Sequence, residues 1–191
     1  MIPESTSEHD LIARARRGDA EAFRALYRQY FPRVYAYAAY RVGRAQDAED
    51  ITADVFMKAV AGLARFEDRG TGAFAGWLFR IAHNELNQFY RQQRRAAGSV
   101  ALDNLPDIQD SDGLPDVELQ HKEQLARLRA LVLELAPRRR EIVLLKFFGG
   151  LRNQEIAGTL GLDERTVASH LSRALDDLRH HYEPEKEAEP R

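Results

Sequence analysis

The chain has 191 residues, of which 28 are basic, 30 are acidic, 44% are hydrophobic and none is cysteine. This length fits one ordinary domain or two small ones, each with enough apolar side chains for a core. The lack of cysteine excludes disulfides and thiolate metal ligands, as in a reducing compartment. The polar, acidic N-terminus and the short aliphatic runs indicate neither a secretory signal nor a membrane span, so we expect a cytoplasmic location without membrane insertion.

The net charge of −2 is unevenly distributed along the chain. Residues 1–97 carry 15 basic and 12 acidic groups, residues 121–182 carry 11 and 8, and residues 98–120 carry six acidic groups and no basic one. A segment with one sign of charge, low hydrophobicity and scattered glycine and proline is typical of a flexible linker. We therefore predict two domains, at 9–97 and 121–182, joined by an acidic linker at 98–120 and followed by an acidic tail at 183–191.

Both domains have the apolar spacing of amphipathic helices, and no alternating strand pattern occurs, so the sequence predicts an all-α fold. Asp19 is a predicted N-cap, and Pro32 is a candidate position for a break or kink in the helix that follows. Asp47 is predicted to start a helix whose apolar stripe is Ile51, Val55, Ala59, Val60 and Leu63. After a loop at 67–72, a third stripe comprises Phe74, Trp77, Leu78, Ile81, Ala82, Leu86 and Phe89.

The second domain contains a leucine-rich helix, then a helix opened by Pro137, then the pattern of a helix-turn-helix. Gly161 permits a tight turn after a short helix, and Asp163 is the predicted cap of a longer one. The polar residues on the N-terminal half of that longer helix are positioned for base contacts in a major groove. Arginines 138–140 and Arg152 are candidates for phosphate contacts. The alternative is a helical hairpin that only packs.

The helix that contains Trp77 has a second candidate nucleic-acid surface, opposite its apolar stripe. Amide and guanidinium groups there can bond base edges and phosphates, and Tyr90 can stack on an unpaired base. The alternative is a solvated polar face that ends in a basic turn. The members of this polar face are Arg80, His83, Asn84, Asn87, Gln88, Arg91, Arg94 and Arg95.

Asp47, Asp50 and Asp54 share one face of the second helix by their spacing of three and seven. One interpretation is that these carboxylates stabilise the helix through its dipole and have no further function. The other two are that they bind a cation or that they form a protein-docking face. Their spacing alone does not decide between these interpretations, although no further ligand set accompanies them, which argues against a metal.

The order of four segments resembles an extracytoplasmic-function (ECF) sigma factor of the bacterial sigma-70 family over about residues 9–182. The segments are LIARARRGDAEAFRALYRQYFPRVY, DAEDITADVFMKA, FAGWLFRIAHNELNQFYRQQRR and LAPRRREIVLLKFFGGLRNQEIAGTLGLDERTVASHLSRAL. The resemblance implies a transcription initiation factor in which residues 9–97 are region two and residues 121–182 are region four. Core RNA polymerase (through its β′ clamp helices and β subunit), promoter DNA and an anti-sigma factor are the implied partners.

The resemblance also implies roles for individual residues. Asp47, Asp50, Asp54 and Phe56 would dock on the β′ clamp helices, and the loop at 66–73 would receive a flipped-out base. The promoter's −10 element would be read and melted by Arg80, His83, Asn84, Asn87, Gln88, Tyr90 and Arg91. The −35 element would be read by Arg152, Arg165, Thr166, Ser169, Ser172 and Arg173.

Two other functions remain open at the level of sequence. A LuxR-type regulator would bind duplex DNA without polymerase, and an interaction protein would hold polymerase or an anti-sigma factor without reading DNA. An enzyme is not expected, because the sequence shows neither a nucleophile paired with a general base nor a phosphate-binding loop. We expect no catalytic residue, metal or cofactor.

Overall fold

The computed structural model describes residues 7–96 and 119–182, and within these ranges the chain is folded into helices without any strand. The all-α prediction is therefore confirmed. The predicted linker, apart from its last two residues, and the predicted tail lie outside the described residues. The helices are α1 (Glu8–Arg16), α2 (Ala20–Val42), α3 (Ala45–Leu63), α4 (Ala73–Ala96), α5 (Leu119–Glu134), α6 (Pro137–Phe147), α7 (Asn153–Leu160) and α8 (Glu164–Tyr182).

Helices α1 to α4 form the first unit, in which α2 packs against α1, α3 and α4. Leu26, Val34, Val55, Leu78 and Leu86 are all fully buried between these helices. Burying such a side chain contributes roughly 1.5–3 kcal/mol relative to leaving it in water. This core fixes the orientation of α4, so its polar face lies on the outside of the unit.

Helices α5 to α8 form the second unit, in which α8 packs against α5, α6 and α7. Ile142, Leu145, Ile156, Val167 and Ala174 are completely buried there. Because Val167 and Ala174 lie on one side of α8, the other side of that helix is left facing solvent.

Local capping signals explain where several helices begin and end. Asp19 Oδ1 accepts from the backbone N–H groups of Glu21 at 2.9 Å and Ala22 at 3.1 Å, which confirms the predicted cap of α2. The start of α3 differs from the prediction, because Arg44 occupies the N-cap position and Asp47 lies in the first turn. Asp47 therefore complements the helix dipole without capping it.

Pro32 does not interrupt α2, which runs through it as one element of 23 residues. Proline removes one backbone hydrogen bond from a helix interior, and helix formation there needs compensation. Here α2 lies against three other helices of its unit, and its neighbours Tyr30 and Val34 are buried. Tertiary packing therefore outweighs the local preference.

The apolar stripe predicted for α3 contains one error. Val60 is 55% exposed, whereas Ile51, Val55 and Ala59 are buried. Because each helical residue advances by about 100°, Val60 points away from the face that Ala59 presents to the core. Met57 is 62% exposed on the same helix.

The two units lie against each other, which the sequence did not indicate. Helix α7 of the second unit packs on α4 of the first, and α6 packs on α2. The described residues thus form one body in which the second unit covers part of α4.

Candidate nucleic-acid and polymerase interfaces

The polar face of α4 is divided between exposed and half-buried side chains. Arg80, Asn84, Gln88 and Arg91 are exposed, whereas His83, Asn87 and Tyr90 are half-buried. The exposed members include Arg80, which lines a cavity together with residues of the second unit. They present the amide and guanidinium donors that base edges and phosphates accept.

His83 belongs to a buried polar cluster around Glu141, which comes from α6. Glu141 is only 6% exposed and forms an ion pair with Arg41. Its Oε1 atom also accepts from the Tyr37 hydroxyl and lies 2.9 Å from His83 Nδ1. A buried carboxylate requires such compensation, because desolvation alone disfavours its charge by several kcal/mol.

The protonation of His83 follows from its surroundings. Burial and the guanidinium groups of Arg41 and Arg138 lower the pKa of His83 to about 4, so the ring is neutral at physiological pH. Its Nε2 atom lies 2.9 Å from the amide nitrogen of Asn87, which can only donate. The neutral ring therefore carries its proton on Nδ1 and donates it to Glu141. In this arrangement both predicted base-reading groups are engaged within the protein.

Tyr90 is also engaged, so it is not poised to stack on a base in this arrangement. Its hydroxyl donates to the carbonyl oxygen of Arg41, and the Arg41 guanidinium lies 5.5 Å from the centre of its ring. Burial raises the pKa of the Tyr90 phenol. Phe89 packs edge-on against the same ring, with centroids 5.7 Å apart. These contacts hold Tyr90 as part of the structure.

The loop between α3 and α4 borders a cavity of about 570 Å³. Phe66 and Trp77 form its aromatic part, with ring centroids 5.0 Å apart. Arg65 and Arg80 also line it, so its first-unit side is basic and aromatic, as a site for an unstacked base would be. The opposite wall is α7, with Arg152, Gln154, Glu155 and Gly158.

The helix-turn-helix predicted in the second unit is present as α7 and α8. Gly161 has a φ of +66°, the left-handed conformation that glycine favours in a turn. Asp163 accepts from the Thr166 backbone N–H at 2.8 Å and from the Thr166 hydroxyl at 2.6 Å, which confirms the predicted cap. Hydrogen bonding to Thr166 lowers the pKa of Asp163, so the cap is charged at physiological pH.

The predicted −35 residues differ in accessibility. The exposed ones on α8 are Arg165, Ser169, Ser172 and Arg173, while Thr166 is half-buried. Arg152 precedes α7, where it pairs with Glu155 at 2.6 Å and donates to the Thr71 carbonyl of the first unit. Arg152 therefore contacts the first unit here, while its side chain remains 55% exposed.

Two of the candidate phosphate-binding arginines in the second unit are also engaged. Arg139 pairs with Asp177 of α8. Arg140 donates to the carbonyl oxygens of Leu133 and Leu135. Both side chains hold α6 to its neighbours, which makes them structural in this arrangement.

The three aspartates of α3 line a shallow groove of about 190 Å³ between α3 and α4. Asp47, Asp50 and Asp54 form its acidic border, and Glu85 of α4 lies across from them. Phe56, in contrast, is 6% exposed and packs on Tyr27, Phe31 and the core, so it is not on this surface as predicted. The docking role of Phe56 stays a prediction.

Two features of these surfaces were not predicted from the sequence, namely the exposure of Met57 and the buried position of Glu141. Met57 and Val60 are exposed apolar residues three positions apart, adjacent to the aspartates along α3. Glu141 is an isolated acid between a run of arginines and a run of aliphatic residues, and that pattern was its only signal in the sequence.

Within residues 7–96 and 119–182, no group of three or more His, Asp or Glu side chains is arranged to hold a metal ion. In the same ranges, no helix is long and apolar enough to cross a membrane.

Comparison with known proteins agrees with the helical fold and the helix-turn-helix. The family model for Sigma-70 region 2 matches residues 26–96, and the family model for Sigma-70 region 4 matches residues 125–178. The ECF RNA polymerase sigma factor BldN of Streptomyces coelicolor is 31% identical over 175 residues, covering 92% of this chain and 66% of BldN. The RNA polymerase sigma factor YlaC of Bacillus subtilis is 30% identical over 164 residues, covering 86% of this chain and 94% of YlaC.

A solved structure agrees with the same fold. The structure of CnrH in complex with the cytosolic domain of CnrY aligns with a TM-score of 0.66 and 25% identity, over 91% of this chain and 95% of CnrH. The chain therefore belongs to the sigma-70 family. Within that family it is an ECF sigma factor, a transcription initiation factor.

Proposed function

We propose that the chain docks on the β′ clamp helices of core RNA polymerase through α3. The acidic border of the groove supplies Asp47, Asp50 and Asp54, and the exposed side chains of Met57 and Val60 supply an adjoining apolar contact. An apolar centre beside charged groups is the usual anatomy of a protein interface. Such a surface docks a protein partner better than it binds DNA, because three carboxylates repel phosphates.

The exposed face of α4 then reads and opens the −10 element. Arg80, Asn84, Gln88 and Arg91 are accessible for this task without any rearrangement. The basic and aromatic cavity beside the loop receives an unstacked base, since Trp77 and Phe66 offer ring faces and Arg65 and Arg80 offer charge. Extruding a base costs a few kcal/mol, which these contacts offset.

Helix α8 reads the −35 element through its exposed N-terminal half, with Arg165, Ser169, Ser172 and Arg173 as the base-edge and phosphate contacts. Each domain alone is only mildly basic, so each binds DNA weakly. When polymerase holds both domains, each raises the effective concentration of the other at the promoter. Polymerase supplies the catalysis, so the chain needs no active site of its own.

We also propose a cytoplasmic location and an anti-sigma partner. The location follows from the partner, since core polymerase acts on DNA in the cytoplasm. Support for the second partner comes from CnrH, which is similar in fold and was solved bound to the cytosolic domain of CnrY.

The observation that carries the proposal is that one chain presents two exposed polar helix faces, on α4 and α8, together with an acidic and apolar docking face on α3. The test combines the purified chain with core polymerase on a pool of bacterial genomic fragments and maps transcript 5′ ends by sequencing. Start sites that share a two-block upstream sequence, and that core polymerase alone does not produce, are the expected result.

Two outcomes contradict this function and favour the alternatives. Retention of duplex fragments by the chain without polymerase, with no new start sites, indicates a LuxR-type regulator. Co-elution with polymerase without new start sites indicates an interaction protein that does not read DNA.

A further inference from the structure

The loop at 66–73 borders the basic and aromatic cavity, but one of its residues points away from it. Phe66, Glu67 and Arg69 line the cavity, whereas Asp68 does not. Asp68 is turned toward α1 instead, and its side chain is only 11% exposed. The residue between two cavity-lining neighbours is therefore placed to anchor this part of the loop.

The partner of Asp68 comes from α1. His9 Nδ1 lies 2.6 Å from Asp68 Oδ2, and because a carboxylate only accepts, Nδ1 carries the proton and donates it. Arg16 follows His9 by two helical turns, hence on the same face of α1. Hydrogen bonding to Arg69 lowers the pKa of Glu67, and the nearby guanidinium group of Arg16 adds to this effect. One face of α1 therefore runs along the loop.

From Asp68 the contacts continue into α4. Asp68 Oδ1 accepts from the backbone N–H of Gly70 at 3.0 Å. Gly70 has a φ of +102°, which glycine adopts without a steric cost. Its carbonyl oxygen accepts from the backbone N–H of Ala73, at the start of α4, at 3.0 Å. A continuous series of hydrogen bonds therefore runs from α1 through the loop to α4.

The two halves of the loop are held in different ways. Phe66 is 6% exposed, and its ring centroid lies 5.0 Å from that of Trp77, so the core fixes the first half. In the second half, Arg69 and Glu67 pair with each other at 2.8 Å, but both are exposed, and such a pair contributes little to stability. The shape of the second half therefore depends on the bonds that Asp68 makes.

A fixed loop matters for capturing a base. A preformed surface binds more tightly than a mobile one, because it loses less conformational freedom on binding. Arg152 of the second unit also donates to the carbonyl oxygen of Thr71 in this loop. Asp68, in contrast, anchors the loop from within the first unit, so its effect does not depend on where the second unit lies.

We propose that Asp68 and His9 are positioning residues for base capture, because their bonds hold the loop at 66–73 in the shape that receives the extruded base of the −10 element. The proposal rests on the sigma-factor function argued above. Neither side chain borders the cavity, so both act through the loop and do not touch the base. Removing their bonds therefore weakens the interaction with one base and leaves the rest of the strand bound as before.

An abasic-site experiment measures this effect. The holoenzyme, assembled from the chain and core polymerase, is titrated with a fluorescent single-stranded DNA that carries the non-template −10 segment of a promoter identified by its mapped start site. Each nucleotide of the segment is replaced in turn by an abasic one, and the resulting loss of affinity is the abasic penalty. For the unsubstituted chain we expect one position with a penalty of about 5- to 150-fold, the range for one base stacked on an aromatic side chain.

Three variants separate the bonds of Asp68. Asp68→Ala removes both bonds of the carboxylate, and we expect it to reduce the abasic penalty by about threefold or more. His9→Ala removes only the contact with α1 and should reduce the penalty by about twofold, because His9 is 77% exposed and exposed pairs are weak. His9→Asn places an amide nitrogen at the position of Nδ1 and should restore the penalty.

Asp10→Ala is the matched control, since it is the same substitution at an exposed residue of α1 that pairs with Arg14 of its own helix at 3.6 Å. It should leave the abasic penalty unchanged. Each penalty is a ratio of two affinities measured on the same holoenzyme, so it does not depend on how much of a variant is folded.

An unchanged penalty for Asp68→Ala, or an equal reduction for Asp10→Ala, would overturn the proposal. Failure of His9→Asn to restore the penalty lost in His9→Ala would overturn the role of His9. If the unsubstituted chain shows no penalised position at all, base capture itself is wrong, and the failure then lies in the proposed function of the loop and not in its anchoring.

Discussion

Helices α4 and α8 carry the two candidate DNA-reading faces, and the structure exposes these faces to different extents. On α8, Arg165, Ser169 and Arg173 are all exposed. On α4, His83 and Asn87 are tied to Glu141 of the other unit. The second unit therefore engages part of the polar face of α4, whereas the polar face of α8 stays accessible.

The difference arises from how each helix is buried. Among the described helices, the main packing partners of α8 are α5, α6 and α7 of its own unit, which it contacts through one apolar side that includes Val167 and Ala174. Helix α4 packs against α2 and α3 of its own unit and also against α7. A helix that packs against both units has less exposed surface, so the exposure of its polar face depends on where the second unit lies.

The largest expected effect comes from removing the packing beneath α4. Phe79 is fully buried, packs edge-on against Tyr37 with centroids 5.7 Å apart, and lies under the Arg33 guanidinium. We expect Phe79→Ala to lower the free energy of unfolding by about 3–5 kcal/mol, as typical for a buried aromatic. Urea unfolding followed by circular dichroism measures this change.

The matched control is Phe147→Ala, the same substitution at a residue that is 59% exposed. It should change the free energy of unfolding by less than about 1 kcal/mol, as most surface substitutions do. Similar losses for the two variants would mean that Phe79 does not hold α4 in place.

The next effect separates the two DNA-reading faces. We expect Asn84→Ala on α4 and Arg165→Ala on α8 each to weaken promoter use by about 1–3 kcal/mol, which is roughly 5- to 150-fold. On a template already melted around the −10 element, Asn84→Ala should recover much of this loss, whereas Arg165→Ala should not. Run-off transcription on paired and pre-melted templates measures both.

Arg28→Ala, an exposed arginine on α2 outside every candidate interface, controls for loss of charge and should leave both templates unaffected. Equal behaviour of the Asn84 and Arg165 variants on the two templates would contradict the division of labour between α4 and α8.

Local features of both helices were predictable from sequence, because they depend on neighbouring residues. Gly161 and Asp163 define the turn and the cap before α8, and they lie within three residues of each other. Asp19 caps α2 through bonds to residues two and three positions later. Pro32 and Val60 were harder, since tertiary packing decides whether a helix continues and which way its side chains point.

The Glu141 cluster was not predictable from sequence, because it joins residues that are 58 and 104 positions apart. Periodicity describes which side of one helix is apolar, but it carries no information on which helix of another unit lies opposite. The polar face of α4 was identified correctly as a face, whereas its division into exposed and engaged residues required the position of α6.

A smaller effect tests the cap that positions the exposed face of α8. Asp163→Ala removes the bonds to the Thr166 backbone and hydroxyl, and we expect it to lower the free energy of unfolding by about 1 kcal/mol. Asp163→Asn keeps a capping oxygen and should lose only a fraction of that. Chemical unfolding of the three proteins side by side measures the difference, and an equal loss for alanine and asparagine would show that charge matters here more than the cap.

The smallest effect concerns acid and the packing around His83. Its pKa is about 4 in the folded chain and about 6.5 when exposed, so the unfolded chain binds the extra proton first as pH falls. Stability from neutral His83 is therefore complete above pH 6.5 and is lost progressively toward pH 4. Tyr37, Arg41, Asn87, Arg138 and Glu141 face this ring, and all but Glu141 are neutral or cationic.

Between pH 7.5 and 6 only part of this loss occurs, so the expected decrease in the free energy of unfolding is small. His83→Gln, which cannot be protonated, should show a flatter pH dependence than the unsubstituted chain over that interval. Urea unfolding at each pH gives the free energy of unfolding of both proteins. Subtracting one pH dependence from the other cancels the titration of the other histidines. A steeper dependence for His83→Gln would mean that the Glu141 carboxylate outweighs burial and the two arginines, and that His83 is charged in the folded chain.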